Sequence, residues 1–151
     1  ERLGLTLLAR LPEPPRRLRA GNRLVMMEDP GGVQAEAFRM LRTNLEFVNI
    51  DRAARTIAVT SAINDEGKST TAANLAVALA LTGSRVILVD LDLRRPMAHR
   101  FFGLADRPGV TDVAAGATRL EDALVAIPLD VGEPSGAGES GPMNGRAERV
   151  D

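Results

Sequence analysis

The chain has 151 residues, 19 basic and 20 acidic side chains and a formal net charge of −1. That is the length of one ordinary domain, and the balance argues against a nucleic-acid-coating protein. Cys, Trp and Tyr are absent, which excludes a disulfide framework, a cysteine nucleophile, Cys-ligated zinc and tyrosine modification within this sequence, and makes a reducing compartment the simple reading.

The sequence opens on Glu1 without a charged region ahead of an apolar core, so no signal peptide is expected and the chain reads as a piece of something longer. No apolar run approaches the roughly 18 residues of a membrane span. Residues 1–30 are rich in Pro and Arg, with Pro12, Pro14 and Pro15 interrupting any helix and Arg10, Arg16, Arg17, Arg19 and Arg23 nearly unopposed by acid. They read as a basic linker, either a solvated connector or a segment lying beside an anionic membrane surface. After Pro30-Gly31-Gly32, apolar residues at Ala35, Phe38, Leu41, Leu45 and Val48 recur every three or four positions and predict an amphipathic helix, with Phe38 and Phe47 as core residues. Thr56 to Thr60 is short and rich in β-branched residues and reads as a buried strand. Lys68 to Thr82, rich in Ala and Leu, predicts a second helix closed by Gly83. Val86 to Val89 reads as another buried strand that ends at Asp90. Strand, helix and strand in about 35 residues form a right-handed βαβ unit, so the fold class is α/β with a parallel sheet flanked by helices. Val110 to Ala115 and Leu120 to Ile127 predict short helices separated by Gly116. From residue 129 onward Gly, Ser and Pro dominate, and residues 129–151 read as a disordered tail behind a domain spanning 31–128.

Between the first strand and its helix lies SAINDEGKST, residues 61–70, in which Ala62, Gly67, Lys68 and Ser69 fit the phosphate-loop pattern with Ala at its first position. A loop that wraps a triphosphate aims successive backbone N–H groups inward, needs small residues where the backbone approaches the anion, and opens directly into a helix N-terminus. Lys68 then offers a point charge to the β and γ phosphates, and the Ser69 hydroxyl can ligate magnesium. Lys68 is the only lysine in a chain whose other 18 basic residues are Arg. The second strand delivers Asp90 and Asp92 at the carboxyl end of a parallel strand, where ligands of α/β sheets bind. One can ligate magnesium and the other can accept a proton from an attacking hydroxyl. His99, between Pro96 and Phe101, reads as a packing or hydrogen-bonding residue.

Three stretches, EAFRMLRTNL from Glu36, SAINDEGKSTTAANLA and ILVDLDLRRP, together resemble the bacterial tyrosine kinases that regulate capsule and exopolysaccharide synthesis, over about Leu3 to Ile127. The resemblance implies an ATP- and magnesium-dependent protein-tyrosine kinase. Ala62, Asp65, Glu66, Gly67, Lys68, Ser69 and Thr70 would belong to the Walker A loop, and Asp90 and Asp92 to a Walker A-prime motif that holds magnesium and helps activate the tyrosine hydroxyl. In that family a Glu-x-x-Arg-x-x-Arg helix mediates ring-like self-association, here Glu36, Arg39 and Arg42; the plain alternative is an ion pair within the helix. The opening LGLTLLARLP resembles the stretch after the second transmembrane helix in fused versions, which implies a membrane-bound parent with this part on its cytoplasmic side, a chain-length regulator as partner and protein tyrosines as substrates.

The chain departs from the family in two places. Asn64 and Asp65 stand where the family usually has Pro-Gly, and Asp65 beside Glu66 puts a second carboxylate near the phosphate site. The Walker B strand, with a further magnesium-ligating Asp, and the tyrosine-rich tail have no counterpart after Ile127, so the P-loop domain reads as incomplete. Two other functions are weighed. A partitioning or cell-division ATPase carries an extra lysine five residues before Lys68, where this chain has Ile63. A non-catalytic nucleotide-binding or oligomerisation module of a polysaccharide co-polymerase would act through Glu36, Arg39 and Arg42.

Overall fold

The computed structural model describes residues 4–63, 66–104 and 107–129. Seven helices lie among them: α1 (Arg16–Ala20), α2 (Val25–Glu28), α3 (Val33–Asn49), α4 (Lys68–Ala80), α5 (Ala98–Phe101), α6 (Val110–Ala114) and α7 (Leu120–Ala123). None is long and apolar enough to cross a membrane. Residues 64 and 65 of the loop and 130–151 of the expected tail lie outside the described residues.

The core is a three-way helix contact among α2, α3 and α4. From α3 it takes Ala35 and Phe38, and from α4 Ala73, Val77 and Ala78. Phe47, expected beside Phe38, is instead 74% exposed. Nine residues separate the two, about two and a half helical turns, which puts them on opposite sides of α3. The stretch read as a linker supplies Leu18, Leu24, Val25 and Met26 to the same core. Its arginines stay at the surface while the apolar residues between them turn inward, an arrangement that a charge count does not reveal.

One buried polar side chain ties this core together. Asn74 is fully buried; its Oδ1 accepts the Met26 N–H at 3.0 Å and its Nδ2 donates to the Thr70 carbonyl at 2.9 Å. It therefore satisfies an amide at the start of α2, where helices leave N–H groups without intrahelical partners, and locks α2 onto the first half of α4. A second side-chain bond, from Asn44 to the Leu8 carbonyl at 2.6 Å, fastens the opening segment to α3.

The expected sheet is not formed among the described residues. Residues 55–60, 84–89 and 125–129 are neither helical nor laddered, and none of their backbone groups is hydrogen-bonded to another described backbone group. Ile57 and Ile87, expected inside, are 47% and 68% exposed. A parallel strand is buried only when a neighbouring strand takes its N–H and C=O groups and helices cover both faces, and among the described residues no strand pairs with either run. Helix α7 ends at Ala123 rather than reaching Ile127. Beyond it Val125, Ile127 and Leu129 are half-buried while Leu124, Ala126 and Pro128 are exposed, the two-residue alternation of a strand. Helix α4 ends at Ala80, and Gly83 follows at φ +86°, the left-handed conformation expected just beyond a helix end.

Replacing Asn74 by Leu keeps the branched shape of the side chain, though with greater volume, and strands the buried Met26 amide; it is expected to cost about 1 to 3 kcal/mol. Urea unfolding followed by circular dichroism measures it; an unchanged midpoint would show that Asn74 does not hold α2 on α4.

Candidate functional site

The phosphate-loop sequence folds as its composition requires at the α4 end. Gly67 is the N-cap at φ +79° and ψ +22°, a left-handed conformation that side chains with a Cβ rarely adopt. The α4 N-terminus has no side-chain cap. Thr71 is the first residue whose N–H is taken up within the helix, by the Gly67 carbonyl at 2.8 Å. The N–H groups of Lys68, Ser69 and Thr70 have no acceptor among the described residues, and with the helix dipole behind them they form a site for an anion. Upstream, Ser61 Oγ donates to the Ile63 carbonyl at 2.8 Å and the Ile63 N–H donates to Glu66 Oε2 at 3.3 Å, so side chains of the loop itself hold its near arm. Ala62 and Ile63 lie in that arm, whereas Asn64 and Asp65 fall outside the described residues.

The two aspartates do different work. Asp90 Oδ1 accepts the Asp92 N–H at 3.0 Å, and its Oδ2 accepts the N–H groups of Met97 at 2.8 Å and Ala98 at 2.9 Å. This one carboxylate closes the 90–98 loop on itself and caps the entry to α5, which lies against α4. Partial burial pushes its pKa up, but the three backbone donors, helped by the positive charge of His99, outweigh that and hold it below the ordinary 3.8. A carboxylate with one oxygen saturated by donors and a lowered pKa is suited to organising a loop and poorly suited to taking a proton at neutral pH. Asp92 commits only Oδ1, to the Arg95 N–H at 3.1 Å. His99 is exposed rather than packed.

The Glu36, Arg39 and Arg42 motif lies along α3 and makes its polar contacts within the chain, although the buried Arg42 Nε has no hydrogen-bond partner among the described residues. Glu36 and Arg39 pair at 3.0 Å one turn apart, and Arg39 also donates to the Pro30 carbonyl. Arg42 turns inward: its side chain is 19% exposed, its Nη1 donates to the Ala78 carbonyl at 3.2 Å near the end of α4, and its Nε lies 3.7 Å from Glu46. The guanidinium thus meets the negative end of the α4 dipole. Neither of the two large cavities, about 520 and 600 Å³, is lined by residues of the phosphate loop.

Sequence reasoning passed over Asn74, the residue that anchors the helix carrying Lys68. Its signal was present in the sequence: a lone amide among Ala, Leu and Val on a helix with hardly any other polar residue after its first turn.

The chain has relatives among known proteins. Residues 57–127 match the family described as the CobQ/CobB/MinD/ParA nucleotide binding domain. The chain is 43% identical over 103 residues to the tyrosine-protein kinase YwqD of Bacillus subtilis, covering 68% of this chain and 44% of that protein. Among solved structures it resembles the chimerical protein CapA2B2, with a TM-score of 0.74 and 32% identity over 85% of this chain and 53% of the other. It also resembles the BceF tyrosine kinase domain, with a TM-score of 0.72 and 30% identity over 83% of this chain and 54% of the other. The chain therefore spans about half the length of these three proteins, and only 14% of longer relatives such as the tyrosine-protein kinase etk of Escherichia coli.

Because the Asp90 pKa is lowered in the folded state, its contribution to stability is fully present above the ordinary value of 3.8 and is lost as pH falls through the lower folded value. At pH 7, Asp90→Asn is expected to be less stable by about 1 kcal/mol, discounted from fully buried charge-assisted bonds because the group is only partly buried. The gap to the parent should close below pH 3.8. Urea midpoints across that window measure it, and a gap that persisted at the acid end would contradict the assignment.

Proposed function

We propose that this chain, which is similar to bacterial tyrosine kinases and matches the CobQ/CobB/MinD/ParA nucleotide binding domain over residues 57–127, is the ATP-binding part of a protein-tyrosine kinase that serves capsule or exopolysaccharide synthesis. The observation that carries the reading is the start of α4, where three N–H groups without an acceptor among the described residues and the only lysine of the chain follow a left-handed glycine. That arrangement binds the β and γ phosphates of a nucleotide through backbone dipoles and one ammonium.

The donor set also suits magnesium, a hard cation that takes oxygen ligands. Magnesium bound here would complete its shell with phosphate oxygens and water. The Ser69 hydroxyl and Asp92 are the residues that would hold it, with Asp90 fixing the loop that presents Asp92. When bound, magnesium supplies positive charge to the transferring phosphoryl group. Lys68 binds the same phosphates, and Asp92, the less committed of the two carboxylates, is the residue to orient an incoming tyrosine hydroxyl. The sequence contains no tyrosine, so the acceptors are residues of other polypeptide segments.

The wider assignment follows the family resemblance. The Leu3 to Pro30 stretch would place this part at the cytoplasmic face of a membrane, next to a chain-length regulator, and the α3 motif would join copies of the protein. Since Arg42 is engaged with α4, Glu36 and Arg39, at the surface of α3, are the members of that motif left to reach another copy. The phosphate loop gives no support to the partitioning-ATPase alternative, because Ile63 occupies the position of its second lysine.

Titration calorimetry with ATP and magnesium tests the reading. Lys68→Met is expected to weaken binding by about 10- to 100-fold, the worth of one charge-assisted phosphate contact, with the far-ultraviolet spectrum unchanged. Equal affinity in the variant would remove the phosphate-loop assignment. Phosphotyrosine formed on a tyrosine-rich acceptor, and lost in Asp92→Asn, would separate the kinase from the non-catalytic module.

A further inference from the structure

Residues 50–55, the connection that leaves α3, are all exposed, yet the turn is firmly held. Asn49 closes it from both sides, its Oδ1 accepting the Ala54 N–H at 2.8 Å and its Nδ2 donating to the Ala54 carbonyl at 3.0 Å. Ala53 is kept at φ +47° within it, a left-handed conformation that a residue with a Cβ rarely adopts. The turn presents apolar side chains and cations together. Phe47 and Ile50, three residues apart and therefore neighbours at the end of α3, stand 74% and 70% exposed. Arg52 and Arg55 follow in the turn, and Arg85 joins them from the start of the 84–89 run; all three are exposed and border one cavity. None of the three makes an ion pair among the described residues. The acids of this corner are Asp51 and Glu46, and Glu46 is engaged by Arg42, so three arginines stand against one carboxylate outside an ion pair.

We propose that this corner is a docking surface for an anionic lipid bilayer, in which Phe47 and Ile50 enter the headgroup layer while Arg52, Arg55 and Arg85 bind lipid phosphates. Charge and polarity together choose that occupant. Exposed apolar side chains rimmed by polar groups mark an interaction surface, and a bilayer offers both an apolar boundary and a layer of negative charge to meet this rim. Arginine suits the position, since its aliphatic stem follows the apolar side chains down while its guanidinium stays among the phosphates. A second copy fits less well, because a two-fold contact through this corner sets arginine against arginine. The turn stands at the start of the 55–60 run and the phosphate loop follows its far end, so a chain docked here keeps the start of α4 open to nucleotide. The inference deepens the membrane placement proposed above and rests on it: the opening segment assigned to that face is fastened to α3 one turn before Phe47, by the bond from Asn44 to the Leu8 carbonyl.

The test is co-sedimentation of the full chain with phosphatidylglycerol vesicles, with phosphatidylcholine vesicles as the neutral control and no nucleotide present. Binding is expected to the anionic vesicles alone, and to fall as salt rises from about 0.1 M to about 1 M, which shortens the Debye length from about 10 Å to about 3 Å. The triple variant Arg52→Gln, Arg55→Gln, Arg85→Gln is expected to bind about 100-fold more weakly, and Ile50→Ser about 10-fold. The double variant Arg16→Gln, Arg17→Gln, which removes charge from the opening segment instead, is expected to bind as the parent does. All of these side chains are exposed, and far-ultraviolet circular dichroism checks that the helices persist. Equal binding to both vesicles, or a triple variant as tight as the parent, would overturn the proposal. So would a dimer in the absence of vesicles that Ile50→Ser dissociates, since a second copy would then be the occupant. Binding lost only in the Arg16 and Arg17 variant would overturn this surface and leave the membrane placement of the opening segment standing. No binding to either vesicle would overturn the surface and withdraw this chain's own support for that placement.

Discussion

Every backbone amide withdrawn from water must find an acceptor, and the way this chain meets or fails that requirement explains most of its structure. Where helices and side chains meet it, the molecule is ordered around a core: Asn74 takes up the Met26 amide in the first turn of α2, and Asp90 takes up the Asp92 amide and two amides at the entry to α5. Where only a neighbouring strand can meet it, along 55–60 and 84–89, no described backbone group does. The phosphate loop lies at the boundary of these two regimes, its downstream arm held by α4 and its upstream arm continuing from an unpaired run. The free amides of Lys68, Ser69 and Thr70 belong to a different category, since an uncapped helix N-terminus at the surface is a binding site rather than a defect.

The site is therefore arranged by local bonds that do not depend on a completed sheet. Asn74 couples the helix that begins with Lys68 to α2, and the Asp90 carboxylate couples the Asp92 turn to α5, which rests on α4. Two aspartates with the same side chain thus separate into a residue that builds the loop and a residue presented by it. The difference comes from how many backbone donors converge on each, three for Asp90 and one for Asp92. Arg42 shows the same dependence on context. On a helical wheel it is one more surface cation beside Arg39, yet the end of α4 lies within its reach and its guanidinium settles on the Ala78 carbonyl.

Features that rest on short-range rules were legible in the sequence. The three- and four-residue spacing of α3, the Gly-Lys-Ser junction into α4 and the glycine beyond the end of α4 each follow from one turn of backbone geometry. Features that rest on distant partners were not. Leu18, Leu24, Val25 and Met26 sit among arginines and prolines, and only the presence of α3 and α4 turns them into core. Phe47 carries the right residue type at the wrong rotation about its helix axis. The runs at 55–60 and 84–89 have strand composition without strand pairing, because composition describes a preference and a ladder needs a second chain segment.

The central claim is that these residues by themselves shape an anion site at the start of α4 while their strand-like runs stay open. Amide-resolved nuclear magnetic resonance of the full chain, titrated with magnesium and ATP, tests both halves at once. The account predicts that the amides of Lys68, Ser69 and Thr70 shift on binding while those of 55–60 and 84–89 keep exchanging rapidly with solvent. Shifts centred on the amides of 55–60 and 84–89, with the α4 amides unmoved, would contradict it.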